Sequence, residues 1–438
     1  MELRDRLSAM GPKRILAIDG GGIRSLISLG FLERLEALLR ERHSNPALRL
    51  YEYFDLIGGT STGAVMAAGL AAGMDMAELK RSYQKLSQKS FGKGVWSIFD
   101  LFFKKGPVER ELKKIFISIP LGSEELQTGL CIVTKRADTN SAWLFLNHPK
   151  DVWYSRQRGI LLQDILYAGL GVPNALIPRK ISLKPNEFAA FTDAGISMAN
   201  NPAFQLFQTA VLQGYPFRWP IGENRLMLVS IGAGLMNRRF RVDKITHKLE
   251  QDNWKTMTPV LMAEEASRQN QLFLQYLSRS ATPWEVDRDA GNLTLDLLTP
   301  EPALTYLRYD VRLTPEELKG MGFEKTDELL ASLREMKTPK QTDMLLQIGA
   351  AAAKLKIADS HFSKTFDLPE PEPEKIEAPI IPREEIVVQP EKVVVPEKNE
   401  QIVELIQKEE ASVVQPENVV DPEKIEQIVE LVRKEEAS

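Results

Sequence analysis

The sequence predicts an α/β fold: a three-layer α/β/α sandwich on a mainly parallel central sheet, followed by a largely disordered acidic tail. Three observations carry that reading. Two strand–glycine turn–helix units follow one another near the start, which calls for parallel strands joined by right-handed crossovers. Further short apolar runs, read as strands, recur as far as Ile231. Beyond Phe366 glycine and aromatic residues vanish and acidic side chains dominate.

The first unit opens with the apolar strand Arg14–Ile18, which enters Asp19-Gly20-Gly21-Gly22-Ile23-Arg24. A helix follows, with Leu26, Leu29, Leu32, Leu35, Leu38 and Leu39 on one side. In the second unit, Tyr53–Ile57 enters Gly58-Gly59-Thr60-Ser61-Thr62-Gly63, and a helix begins with Ala64-Val65-Met66. Later strands are expected at Gly129–Thr134, Ala142–Asn147 and Leu226–Ile231. Thr314-Pro315-Glu316-Glu317 reads as a capping box, so residues 314–358 are expected to be helical and to finish the domain, within a helical remainder that spans 235–366.

The net charge of -4 hides a division. Residues 367–438 hold 20 acidic against 8 basic side chains, a net of -12, and nine of the 26 prolines. Residues 1–366 therefore carry 40 acids and 48 bases, a net of +8. The tail has too little apolar surface to offset its ordering entropy, so the domain is expected to span 1–366 and the tail 367–438. Within the tail, 387–412 recurs as 413–438 with five differences. Each copy carries apolar positions at helical spacing, offering a short docking helix to a protein partner or a merely solvated repeat.

Several classes are excluded or disfavoured. The single cysteine, Cys131, cannot form an internal disulfide. No apolar run approaches the roughly 18 residues needed to cross a bilayer, and MELRDRLSAMGPKR is too charged for a secretory signal. A soluble cytoplasmic chain is expected, with a peripheral membrane position and delivery into another cell left open. No basic stripe or recognised module suggests nucleic acid. No His/Asp/Glu cluster has ligand spacing, so neither metal nor cofactor is expected.

The chemistry concentrates in two turns. Gly59-Thr60-Ser61-Thr62-Gly63 is a G-x-S-x-G pattern between a strand and a helix, the context that lifts a serine onto a tight turn as a nucleophile. Asp19-Gly20-Gly21-Gly22 presents consecutive backbone N–H groups either to a nucleotide phosphate or to the oxyanion of an ester under attack. Both turns should open at the same sheet edge. Arg24 could brace this loop or meet a substrate phosphate. The base is less obvious. Of His43, His148, His247 and His361, the usual Ser, acid, His order permits only the last two, and neither has a distinctive context, whereas Asp193, between the apolar run Phe188–Phe191 and a small-residue turn, is placed either to face a cleft or as a plain turn residue.

Taken together, these motifs resemble those of the patatin-like lipid acyl hydrolases: D-G-G-G-x-R at Asp19–Arg24, G-T-S-T-G at Gly59–Gly63, and an aspartate motif at Asp193-Ala194-Gly195 with Asn200-Asn201-Pro202 after it. Ser230-Ile231-Gly232-Ala233-Gly234 is similar to the family's S-L-G-T-G strand ending. Ser25 departs from the usual glycine, Ala194 reverses the common D-G-A order, and Tyr167–Pro173 is a loose version of the small-residue segment before proline. The resemblance covers about Arg14 to Gly234. It implies a Ser61–Asp193 dyad, an acyl-enzyme, an oxyanion hole from the N–H groups of Gly20, Gly21, Gly22 and Thr62, and lipid or phospholipid at a membrane surface as substrate. A ligand-gated phospholipase and a non-catalytic scaffold working through its tail repeats remain alternatives. Val95–Lys105 and the smaller Pro216–Pro220 mix aromatic and basic residues, as interfacial segments would, or as core-packing loops.

Overall fold

The computed structural model describes residues 3–90, 105–171, 178–184, 186–236, 242, 246, 251–285, 291–294, 296–335 and 339–369. Val95–Lys104, His247 and the tail repeats lie outside the described residues. One compact unit runs from Met1 to Glu370.

Its centre is a mixed sheet. The strands are β1 (Lys13–Ile18), β2 (Leu56–Thr60), β3 (Gly129–Arg136), β4 (Ser141–Leu146), β5 (Arg179–Lys184), β6 (Glu187–Asp193), β7 (Leu226–Ile231), β8 (Ser278–Arg279) and β9 (Leu304–Tyr309). Their spatial order is β5-β6-β3-β2-β1-β7-β9-β8, with β4 also paired to β3. The run from β3 through β2, β1, β7 and β9 to β8 is parallel, while β4, β5 and β6 make the antiparallel pairings.

Side-chain alternation along the strands builds two cores. Leu16, Ile18, Val229 and Ile231 pack into one core with helices α1 (Leu26–Arg42), α2 (Thr62–Ala71), α3 (Met76–Ser90), α4 (Lys105–Ile115) and α5 (Leu162–Gly169). Ile15, Ala17, Leu226 and Leu228 point the other way, against α6 (Ala203–Val211) and the end of α7 (Gln251–Leu277). Helices therefore cover both faces, as expected. All six leucines singled out on α1 are buried. Helix α2 carries no charge and is buried on every side, as an all-round apolar helix must be.

Three expectations need correction. The second strand starts at Leu56 rather than Tyr53, because residues 50–53 form a helical turn in which Arg49 N–H donates to Glu52 Oε2 at 2.7 Å. Residues 314–358 break into three helices, Pro315–Gly320, Thr326–Glu335 and α8 (Pro339–Lys356), the first capped by Thr314 Oγ1 accepting from Glu317 N at 3.3 Å. The stretch 235–366 is also not only helical: β9 extends the sheet beside β7. At the far end, Arg42 bridges Asp367 and Asp359, and Leu368 packs on the core, so ordered contacts continue past Phe366.

Candidate active site

The serine turn is built by close backbone packing. Ser61 has φ 55° and ψ -126°, a conformation costly for any residue with a Cβ. A Cβ on Gly59 would lie 2.3 Å from the Gly63 carbonyl carbon, and one on Gly63 would lie 2.3 Å from Ile18 O. Only glycine at both positions lets β2 turn sharply into α2 against the end of β1.

Two strands over, beyond β3, the end of β6 delivers Asp193. Ser61 Oγ donates to Asp193 Oδ2 at 2.7 Å, and Gly195 N–H donates to Oδ1 at 2.6 Å. Burial pushes the Asp193 carboxyl up to about 6, against the opposing effect of those two hydrogen bonds. Thr192 Oγ1 and Asp193 N–H both bond Gly171 O, which fixes the strand end. Ser61 and Asp193 are 3% and 2% exposed, so the pair is closed to solvent.

The glycine loop lies alongside, in an arrangement unlike the expected one. Gly20 N–H donates to Asn200 O at 2.9 Å, so it is not aimed at an oxyanion. Its place is steric, since a Cβ there would sit 2.7 Å from Asn200 Oδ1 and 3.2 Å from Ser61 Cβ. Gly21 and Gly22 N–H converge on Thr62 Oγ1 at 3.2 and 3.0 Å. With both lone pairs of that oxygen occupied, the 2.8 Å contact to Ser25 must run from the Thr62 hydroxyl to Ser25 Oγ. Tyr83 of α3 donates to Gly22 O at 2.6 Å. Arg24 lies in a 3₁₀ turn, Gly22–Ser25, rather than in α1, and its Nη1 donates to Gly234 O at 2.9 Å. Loop bracing is thus a contact it makes.

Several of these residues escaped the sequence reading. Ser25 stood out only as a departure from a motif. Asn270 of α7 donates to Asn201 O at 3.1 Å and to Met198 O, holding the loop that meets Gly20. Arg308 of β9 grips Asp19 with both Nη atoms. An arginine inside the apolar run Leu304–Tyr309 was the available signal, because a cation in a buried strand needs acidic partners.

The described histidines lie elsewhere. His43 ends α1 beside Tyr53, His148 packs edge-on to Phe217, and His361 Nδ1 is 3.0 Å from Tyr309 Oη. Burial lowers the His148 imidazole to about 4. Phe217 and Trp219 are buried, and Trp219 Nε1 donates to Leu7 O, so Pro216–Pro220 is a core-packing loop rather than an interfacial one. Among the described residues no group of His, Cys, Asp or Glu could hold a metal ion, and no helix is long and apolar enough to cross a membrane.

A strand–serine–helix turn facing a glycine loop and an acid, at the ends of β2, β1 and β6 in one sheet, is the architecture of the serine-hydrolase class. Residues 16–207 match the profile described as patatin-like phospholipase. Over that stretch, just under half of the chain, the sequence is similar to the patatin-like phospholipase family. It is 30% identical over 203 residues to a cGAMP-activated phospholipase of Vibrio cholerae, covering 44% of this chain and 56% of that protein. A cGAMP-activated phospholipase of Escherichia coli is 27% identical over 198 residues, covering 44% and 54%. Patatin-17 of Solanum cardiophyllum is 54% identical over 54 residues, covering 12% of this chain and 14% of its own. The chain thus spans about half the length of the bacterial relatives it matches.

Proposed function

We propose that this chain is a serine lipid acyl hydrolase that cleaves fatty acyl esters of lipids or phospholipids at a membrane surface through a Ser61–Asp193 dyad. The 2.7 Å bond from Ser61 Oγ to Asp193 Oδ2, on a serine held in a strained turn, carries this reading. Ser61 Oγ attacks the ester carbonyl carbon while its proton passes to Asp193. The tetrahedral adduct collapses, expelling the alcohol, which takes the proton back from Asp193. Water, deprotonated by Asp193, then attacks the acyl-enzyme and releases the fatty acid with Ser61 reprotonated. A carboxyl raised to about 6 is a better base than an exposed aspartate and is still about nine-tenths ionised at pH 7.

The developing oxyanion needs donors, and Thr62 Oγ1 stands where Gly21 and Gly22 N–H converge. In this reading the substrate oxygen takes the place of that hydroxyl, assisted by Thr62 N–H at the start of α2. Each such donor is worth on the order of 10²–10³ in rate. A fluorophosphonate should label Ser61, and purified protein should release fatty acid from phospholipid vesicles. Failure of both with folded protein refutes the proposal.

A second reading, ligand gating, is favoured by a specific observation: the dyad is buried and the glycine donors are already occupied within the chain. Relatives described as cGAMP-activated fit that closed state. Under this reading the basal rate is low and cGAMP raises it. An unchanged rate across a cGAMP titration argues for an ungated enzyme.

A further inference from the structure

We infer that Arg308 is a positioning residue for the glycine loop, holding its entrance through Asp19 and its exit through Asp310, Gly234 and Arg24. The inference rests on the acyl-hydrolase reading above. Arg308 lies on β9, beyond the span of the family match, and its side chain is 1% exposed.

The contacts form a closed circuit. Arg308 Nη1 donates to Asp19 Oδ1 at 3.0 Å and Nη2 to Oδ2 at 2.7 Å, a two-pronged grip on the residue just before Gly20. Nη1 also reaches Ser230 Oγ on β7 at 2.7 Å, and Nη2 reaches Asp310 Oδ2 at 2.7 Å. Asp310 Oδ1 in turn accepts from Gly234 N–H and Val311 N–H, each at 2.8 Å. Gly234 O accepts from Arg24 Nη1, in the turn that closes the loop. A Cβ on Gly232 would lie 1.9 Å from Asp310 Oδ2, so glycine there makes room for the carboxylate.

The charges agree with this placement. Burial works against the Arg308 cation, but the two carboxylates outweigh it and hold the guanidinium above its ordinary value. Burial pushes Asp19 up to about 6 despite Arg308. One cation held between two buried acids is a rigid anchor, and removing it leaves both acids uncompensated. Lysine cannot reproduce the planar fork that meets both oxygens of Asp19. The loop would then lose its register by a fraction of an ångström, enough to misaim donors at a reacting oxygen.

The test uses the full chain with Arg308→Lys, Arg308→Met, Asp19→Asn and the Arg308→Met/Asp19→Asn double variant. The readouts are kcat and KM on a soluble short-chain ester, the rate of fluorophosphonate labelling at Ser61, and the thermal midpoint. Arg308→Met should lower kcat about 10- to 100-fold with KM within about threefold, and labelling should slow in parallel. Arg308→Lys should fall in between. The double variant should be no slower than the worse single one, because both act through the same contact. A folded Arg308→Met with wild-type kcat, or losses that add in full, overturns the inference. If Arg308→Met does not fold, Arg308→Lys decides, and wild-type kcat there is equally fatal. Wild-type protein that neither turns over nor labels at Ser61 sinks the acyl-hydrolase reading itself, and the inference with it.

Discussion

Gly21→Ala tests the glycine loop by geometry alone. The added Cβ would lie 2.2 Å from Ala233 Cβ and 2.8 Å from Ser25 Oγ. Two carbons pack comfortably at about 3.5–4.0 Å, so the loop or the β7 ending must give by about 1.3 Å or more. Gly21 N–H lies 3.2 Å from Thr62 Oγ1, a bond that cannot survive such a shift. Losing one oxyanion donor should cost about 10²–10³ in kcat, and the overpacking about 1–3 kcal/mol of stability. Turnover of a short-chain chromogenic ester, with thermal melting alongside, measures both. Gly159→Ala, where a Cβ meets nothing within 4 Å, is the matched control and should leave turnover unchanged. Adding Ala233→Gly removes the clashing methyl and should restore much of what Gly21→Ala loses. A folded Gly21→Ala with wild-type turnover refutes the reasoning, and so does a double variant no better than the single one.

The pH profile of kcat/KM should show an acid limb with its midpoint near 6, since Asp193, raised there by burial, must be ionised to take the serine proton. Activity is therefore lost as pH falls through 6 and kept above it. Burial raises Asp19 into the same region, and its pairing with Arg308 needs it ionised, so it should steepen the limb and carry its midpoint slightly above 6. His361→Gln should cost about 1 kcal/mol of stability through its Tyr309 contact and leave kcat unchanged. A chain ending at Phe366 should melt below one ending at Pro369, because it lacks Asp367 on Arg42 and the packing of Leu368. Removing residues 370–438, with 19 acidic and 8 basic side chains and so a net of -11, should strengthen binding to anionic vesicles at low salt, with a gain that fades as salt is added.

What was legible in the sequence depended on locality. The Ser61 elbow and the leucine face of α1 are written in consecutive residues, where period and glycine spacing speak directly. The edge of the second strand was misplaced because Tyr53 and Phe54 are apolar in either conformation, and a capped helical turn took Tyr53. β9 was missed because Leu304–Tyr309 has no glycine turn or alternation to mark it. The loop's wiring was not legible either. Thr62 Oγ1 on Gly21 and Gly22, Asn200 O on Gly20, and Arg308 on Asp19 join residues from 40 to 289 positions apart, which no local pattern encodes.

Kinetics of Ser61→Ala, Asp193→Asn and their double variant test the central claim most directly. They should be read on one soluble ester, with folding verified for each protein. Residues that act as a unit in catalysis do not contribute additively. Each single variant should therefore lower kcat by at least about 10³-fold, and the double variant should be no slower than the slower single one. Asp193→Asn retaining a tenth of wild-type turnover, or a histidine variant as inactive as Ser61→Ala, would contradict the dyad.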